Sequence, residues 1–227
     1  MIEKYFNISK DDTKIYGFLN KVGSDDLVIF LHGVGDDCHA HHIYNCSKYL
    51  NENGIDTYRY NLFSGRENGR RSHKTRLIDL EDDFNAVVRF HRKRYSNVYV
   101  IGHSLGGSIA ILGNNELVDK LLLWEPSLNP KKRFKQKIEE KETHYLLNWG
   151  TTIALDKTFV KELSTLSERI VEEINTSVGF VFAERSKIFR EWQPLLDKYH
   201  LVENASHRFD ERKAEEELID VSHDMLL

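Results

Sequence analysis

Short apolar runs alternate along the chain with longer stretches in which apolar residues recur every three or four positions. Continuous runs rich in β-branched and aromatic residues are typical of strands buried on both faces of a parallel sheet. Four runs have this character, at residues 27–31, 98–101, 121–124 and 178–182. Weaker patterns predict strands over residues 4–8, 14–19, 56–60 and 199–202.

Amphipathic helical patterns lie between these strands. The clearest covers residues 75–91, with acidic side chains in its first turns and basic side chains after its end, which complements the helix dipole. Further helices are predicted over residues 157–170 and 210–225. Strands that alternate with helices predict an α/β fold, with a mostly parallel sheet covered by helices on both faces.

One polar segment, residues 127–155, interrupts the alternation. We interpret it as an insertion between two core strands and as a candidate lid within a single domain that covers residues 1–227. The segment carries a basic run at residues 131–137. A solvated face of the lid accounts for this run, and a surface that receives an anionic substrate or a carrier protein is the alternative.

Composition narrows the class of protein. A length of 227 residues is about that of one large α/β domain, and 40% hydrophobic with 30% charged residues is typical of an ordered protein. The net charge of −4 creates no overall field that would attract nucleic acid. We expect a cytoplasmic protein without a membrane span, since no apolar stretch approaches about 20 residues and no signal-peptide pattern begins the chain.

The strongest chemical signal is the segment Gly102-His103-Ser104-Leu105-Gly106-Gly107, which follows a predicted strand and precedes an apolar helical pattern. In a G-x-S-x-G pattern the serine lies on a sharp strand-to-helix turn that exposes its Oγ, and the glycines let strand and helix pass closely. The N-terminus of the following helix offers N–H groups to a developing oxyanion. We therefore predict that Ser104 is a nucleophile.

Two other segments supply what a serine nucleophile needs. The loop Leu31-His32-Gly33-Val34-Gly35 follows a core strand at its carboxyl end, where open α/β sheets bind ligands. The backbone N–H groups of Val34 and Leu105 are the predicted oxyanion hole. His207 follows the last predicted strand and is the expected general base, since a serine hydroxyl needs a base whose pKa is near neutrality.

These segments resemble the α/β-hydrolase superfamily, especially its small single-domain esterases, thioesterases and acylglycerol-lipase-like members. The resemblance covers nearly the whole chain and rests on three segments, Leu31-His32-Gly33, Gly102-His103-Ser104-Leu105-Gly106-Gly107 and Ala205-Ser206-His207-Arg208-Phe209. Tyr60-Asn61-Leu62-Phe63-Ser64-Gly65 is a weaker match, to the family's loop after the fourth strand. The resemblance implies an eight-stranded sheet and a serine–acid–histidine triad in that chain order.

The acid is where the chain departs from the family pattern. The resemblance places an aspartate where this chain has Ser186, and a serine does not stabilise an imidazolium as a carboxylate does. Glu184, on the same loop, is the preferred acid. Glu125, after the strand at residues 121–124, is the alternative, because some related lipases hold their acid there. The possibility that neither serves stays open.

Cys38, His39, His41 and His42 have the composition of a metal cluster. The pattern places Cys38 and Cys46 in one helix, about two turns apart and too far for a disulfide. We interpret the segment as packing in the wall of the site, and we expect neither a metal nor a cofactor.

The predicted function is that of a serine hydrolase that cleaves a small-molecule carboxylic ester or thioester through an acyl-enzyme on Ser104. Two alternatives use the same residues. A catalytically degenerate relative would bind a small molecule or a partner without turnover, and the missing aspartate at position 186 motivates it. An acyltransferase would keep the nucleophile but pass the acyl group to an acceptor other than water.

Overall fold

The computed structural model of the protein describes residues 2–113, 115–135, 137–149, 151–173 and 178–226. Eight of its strands form one sheet, in the order β1-β2-β4-β3-β5-β6-β10-β11. Their bounds are β1 Ile2–Lys10, β2 Thr13–Lys21, β3 Asp26–Leu31, β4 Asp56–Tyr60, β5 Asn97–His103, β6 Lys120–Trp124, β10 Val178–Ala183 and β11 His200–Val202. All neighbouring pairs from β4 across to β11 in this sheet are parallel. At the opposite edge, β2 pairs antiparallel with both β1 and β4. The mostly parallel sheet is thus confirmed, and it is mixed.

Helices cover both faces of this sheet, as the pattern predicts. Their bounds are α1 His41–Glu52, α2 Leu77–Arg92, α3 Leu105–Leu112, α4 Pro130–Phe134, α5 Lys157–Glu162, α6 Leu166–Glu173, α7 Lys187–Trp192 and α8 Arg212–Leu226. Alternate side chains of β3 enter two separate cores, because successive residues of a strand point to opposite faces. Leu27 and Ile29 pack with α2 and α3, while Val28 and Phe30 pack with α1 and α8. None of the described helices is long and apolar enough to cross a membrane.

Two helix predictions are wrong. The single helix over residues 157–170 is two helices, α5 and α6, because the hydroxyls of Ser164 and Thr165 donate to the carbonyls of Lys161 and Glu162 and compete with continued helical bonding. The helix that carries Cys46 begins only at His41. Cys38 therefore precedes it, and both thiols are buried and free.

The segment between β6 and β10 contains a second sheet, which the sequence pattern does not predict. Its antiparallel strands are β7 Ile138–Glu140, β8 His144–Trp149 and β9 Thr151–Asp156. Leu147 and Leu155 of this sheet are fully buried in the same core as α2 and α3. The candidate lid at residues 127–155 thus consists of α4 and these strands, and it is anchored to the main core.

His91 on α2 is a buried histidine of the core, with its ring among Tyr58, Phe90 and Tyr95. Neither ring nitrogen has a hydrogen-bond partner in the described part of the chain. Burial lowers the pKa of His91 from its ordinary 6.5 to about 3, and Arg94 acts in the same direction. The unfolded chain therefore takes up a proton at this residue at a higher pH than the folded protein does.

The variant His91→Phe is expected to lose less stability in acid than the parent protein. In the parent protein, the free energy of unfolding that comes from keeping His91 neutral is complete above pH 6.5. It is lost as the pH falls toward about 3. Within that window the slope of unfolding free energy against pH should differ by up to about 1.4 kcal/mol per pH unit. Urea titrations from about pH 8 to about pH 4.5 measure it. Parallel slopes for the two proteins would contradict this prediction, while a constant offset reports packing alone.

Candidate active site

Ser104 lies at the turn between β5 and α3, in a backbone conformation that non-glycine residues rarely adopt. Its φ is 54° and its ψ is −120°. Such strain persists only where surrounding contacts over-determine it. Here the Ser104 N–H donates to the Trp124 carbonyl at 2.9 Å, and the Ser104 carbonyl accepts from the Ser127 N–H at 3.0 Å. The neighbouring strand β6 and the loop after it therefore hold the serine in the turn.

Two glycines of the predicted motifs lie where a side chain would collide with neighbouring atoms. A Cβ on Gly106 would lie 2.6 Å from the carbonyl oxygens of Leu31 and His32, so only glycine lets α3 pack on the end of β3. A Cβ on Gly33 would lie 2.9 Å from the Cβ of Ser104. The loop after β3 therefore passes directly against the side chain of Ser104.

A continuous chain of hydrogen bonds joins Ser104 to a histidine and a carboxylate. The Oγ of Ser104 lies 3.2 Å from Nε2 of His207, and Nδ1 of His207 lies 2.9 Å from Oε2 of Glu125. An ionised carboxylate only accepts, so Nδ1–H of His207 donates to Glu125. In the neutral imidazole Nε2 is then the acceptor, and it takes the hydrogen bond from the Ser104 hydroxyl.

Glu125 is fully buried, and each of its carboxylate oxygens has a partner. Oε1 accepts from the N–H of Ala183 at 2.9 Å, while Oε2 faces His207. The residue has a φ of 50°, directly after β6, so its backbone, like that of Ser104, has a positive φ that non-glycine residues rarely adopt. A buried carboxylate fixed in this way orients the imidazole and can stabilise the imidazolium that forms when the serine loses its proton.

The structure corrects the preference for Glu184 as the acid. Glu184 is exposed, and its Oε2 accepts from the backbone N–H of Asn204 at 2.8 Å instead of facing the histidine. Ser186, at the position where the resemblance places an aspartate, caps α7 by accepting from the N–H of Ile188. Because β6 pairs directly with both β5 and β10, a side chain at its end reaches His207 without the loop after β10.

Ser127 is a residue of the site that the sequence did not single out. It is buried, and its Oγ lies 3.2 Å from the Oγ of Ser104. Since the Ser104 hydroxyl donates to His207, the Ser127 hydroxyl is the donor of this pair. Its carbonyl accepts from the Ser108 hydroxyl at 2.6 Å, which ties the loop after β6 to α3. Its place two residues after Glu125 is the signal that could have found it.

The predicted oxyanion donors, Val34 and Leu105, both line the cavity above Ser104. Leu105 is the first residue of α3, where backbone N–H groups have no partner within the helix. His32 holds the Val34 loop in place, since its Nδ1–H donates to the Gly33 carbonyl and its Nε2 accepts from the Leu62 N–H. Burial lowers the pKa of His32, which keeps this neutral arrangement.

Two further buried histidines, His42 and His103, pack ring against ring beside the site, with centroids 4.5 Å apart. Burial lowers the pKa of each well below its ordinary value. Nε2 of His103 lies 3.0 Å from the carbonyl oxygen of His207, and since a carbonyl only accepts, His103 donates. His103 therefore supports the loop that carries His207.

Within the described part of the chain, one group of side chains brings metal-ligating atoms together. Asp36, His42 and His103 have ligand atoms within 4.8 Å of one another. The cluster weighed from the sequence does not form, because His41 bonds to Glu215 and Asp210 and the ring of His39 packs on Phe18. Burial raises the pKa of Cys38 to about 12, which keeps that thiol protonated.

A cavity of about 260 Å³ opens above Ser104 and His207. The loop after β3 forms one wall, and residues of the insertion form the opposite wall. The insertion contributes Pro130, Arg133, Phe134, Lys137 and Trp149. A small molecule in this cavity would touch the serine hydroxyl and the insertion at the same time.

Residues 23–176 match the family described as serine aminopeptidase, S33, which is more than half of the chain. The matched region includes Ser104 and Glu125, and His207 lies beyond it. No curated protein matches the chain.

Solved structures with the same fold match nearly the whole chain. Est1E from Butyrivibrio proteoclasticus has a TM-score of 0.77 at 18% identity, with 98% of both chains covered. A dienelactone hydrolase from Anabaena variabilis has a TM-score of 0.71 at 15% identity, with 99% of this chain and 96% of that chain covered. The esterase domain of a Rhodothermus marinus protein has a TM-score of 0.71 at 15% identity, with 99% and 97% covered. At these identities the similarity establishes the fold.

Proposed function

Because the chain belongs to the serine aminopeptidase S33 family of the α/β-hydrolase superfamily, we propose that it is a serine hydrolase that cleaves a small-molecule ester or thioester through an acyl-enzyme on Ser104. The observation that carries the proposal is the unbroken path of hydrogen bonds from Glu125 through His207 to Ser104. A surface serine or a simple glycine turn requires neither the buried carboxylate nor the aligned imidazole.

The first half of the reaction forms the acyl-enzyme. Oγ of Ser104 attacks the carbonyl carbon, and its proton passes to Nε2 of His207, while Glu125 stabilises the imidazolium. The N–H groups of Val34 and Leu105 bind the oxyanion, an interaction worth about 3 kcal/mol per donor in comparable sites. The bond to the leaving oxygen or sulfur then breaks, and His207 returns the proton to the leaving group.

The second half releases the acyl group. His207 takes a proton from a water molecule, whose oxygen attacks the acyl carbon, and Ser104 regains its hydroxyl when the tetrahedral intermediate collapses. The small cavity favours a compact substrate over a long chain, since its volume of about 260 Å³ lies just below the usual range for ligand sites.

A fluorophosphonate probe is expected to label the protein at Ser104, because the probe reacts with a serine oxygen activated by a neighbouring base. Intact mass and peptide mapping locate the modification. A degenerate relative that only binds a ligand would stay unlabelled and would not turn over 4-nitrophenyl esters, and that result would reject the proposed function. Products formed with an added alcohol separate hydrolysis from acyl transfer.

A further inference from the structure

The cavity above Ser104 carries an excess of positive charge. Arg133, Lys137 and Arg208 line it, against a single carboxylate, Asp36. Arg208 and Asp36 neutralise each other, with Nη2 and Oδ1 3.1 Å apart. Arg133 and Lys137, which both belong to the insertion, have no carboxylate partner among the residues that line the cavity.

Arg133 is largely withdrawn from water, with 17% of its side chain exposed. Burial lowers the pKa of its guanidinium, and the carboxylates of Glu191 and Glu125 oppose that effect. An arginine nevertheless stays protonated in a protein. Its Nη1 donates to Oε2 of Glu191 at 3.1 Å, the only side-chain hydrogen bond recorded between this guanidinium and the described residues. The guanidinium has five N–H donors, so it can also donate to a second acceptor on the side of the cavity.

Lys137 is exposed at the rim of the same cavity, and its Nζ lies 4.1 Å from the centroid of the Trp149 ring. A cation over an indole face is attracted by the ring quadrupole and keeps its three N–H donors. Among the described residues Lys137 has no ion pair with a carboxylate. Its charge is therefore available to a ligand that enters next to Trp149.

From this arrangement we infer that the substrate carries a carboxylate in addition to the ester or thioester, and that Arg133 and Lys137 bind this carboxylate. The inference rests on the proposed function. A guanidinium at the wall of a partly closed cavity binds a carboxylate through two parallel hydrogen bonds, and a nearby lysine adds a point charge. The insertion thereby selects the substrate, while the loops of the main sheet carry out the reaction.

Two pairs of esters test the inference, each with one neutral and one carboxylate member. The first pair is mono(4-nitrophenyl) adipate and its methyl ester, which differ at the end of the acyl chain. The second is 4-butyryloxybenzoate and its methyl ester, which differ on the leaving group. In at least one pair, kcat/KM for the carboxylate member should exceed that for the neutral member by about 10- to 100-fold. A ratio near or below one in both pairs overturns the inference.

Variants identify the residues that bind the carboxylate. For each variant we compare the ratio of kcat/KM for the carboxylate ester to kcat/KM for the neutral ester, because a ratio measured on one preparation does not depend on its folded fraction. Arg133→Met should lower the ratio about tenfold, and Lys137→Met should lower it several-fold, as expected for loss of a charge-assisted hydrogen bond. Lys132→Met, which removes an exposed cation of α4 outside this cavity, should leave the ratio unchanged. If neither Arg133→Met nor Lys137→Met changes the ratio, the inference is overturned.

Glu191→Gln is the matched control for the ion pair. Arg133→Met and Glu191→Gln both break the contact between α4 and α7, but only the first removes the cation. Glu191→Gln should hold or raise the ratio, since Arg133 then lacks its neutralising partner. A fall in both variants would assign Arg133 a structural role and reject the inference. Turnover of the neutral esters that depends on Ser104 supports the proposed function by itself, so the two failures are distinguishable; no turnover of any ester rejects both.

Discussion

Ser104→Ala is expected to lower kcat for 4-nitrophenyl esters by about 10⁴- to 10⁶-fold. The variant keeps the cavity and the oxyanion donors but removes the oxygen that attacks the carbonyl. It also removes the hydrogen-bond partner of His207 Nε2, so the base has no proton to accept from the nucleophile. Steady-state hydrolysis measured against the uncatalysed rate gives the size of the effect.

The matched control for this prediction is Ser108→Ala. Ser108 lies one helical turn further along α3, and its hydroxyl donates to the backbone carbonyl of Ser127 rather than facing His207. Its loss should cost roughly 1 kcal/mol of stability and leave the fluorophosphonate reaction in place. Ester turnover by Ser104→Ala at the parent rate would reject the assignment of the nucleophile.

Glu125→Gln is expected to lower kcat by about 10⁴-fold with little change in KM. The amide is close in shape to the carboxylate, and its oxygen can still accept from the Ala183 N–H, so the loop after β6 should keep its position. An amide NH₂ facing Nδ1 of His207 favours the tautomer with the proton on Nε2, which cannot accept the proton of Ser104. It also leaves the imidazolium without a counter-charge.

Glu184→Gln provides the discriminating comparison, because it makes the same substitution at the carboxylate that the sequence-based prediction preferred. Glu184 is exposed and accepts only from the backbone of Asn204 among the described residues, so its loss should change kcat by less than about twofold. If Glu184→Gln were the inactive variant and Glu125→Gln the active one, the acid would belong to the loop after β10.

In the proposed triad each group follows a different strand. Ser104 follows β5, Glu125 follows β6, and His207 follows β11 at the edge of the sheet. Ser104 and Glu125 both have positive φ at the ends of adjacent strands, and the Ser127 hydroxyl, on the same loop as Glu125, lies 3.2 Å from the Ser104 hydroxyl. The strain is local and is balanced by the backbone hydrogen bonds that join these loops.

The central strands β3, β5, β6 and β10 were the most predictable, because each contains a short apolar run typical of a strand buried on both faces. The predicted run at residues 98–101 lies within β5, and the run at residues 121–124 lies within β6. The second sheet was not predictable by the same reasoning. Most residues of β7, β8 and β9 are only partly buried or exposed, so their composition is that of a polar loop.

The sequence by itself determined the turn that carries Ser104. The segment Gly-His-Ser-Leu-Gly-Gly lets the strand and α3 pack closely, because its glycines have no side chains at the points of contact. It also determined that a histidine, His207, follows closely on the last strand of the sheet. Those are local properties, set by backbone sterics over a few residues.

Only the tertiary structure decided which carboxylate faces His207 and where the basic residues of the insertion point. Glu125 and His207 are separated by 82 positions in the chain, and Glu184 lies closer in sequence to the histidine. Contact between them depends on strand order and on the strained backbone at Glu125, which no local pattern encodes. The same holds for Arg133, since a basic run has the same sequence whether it faces water or a cavity.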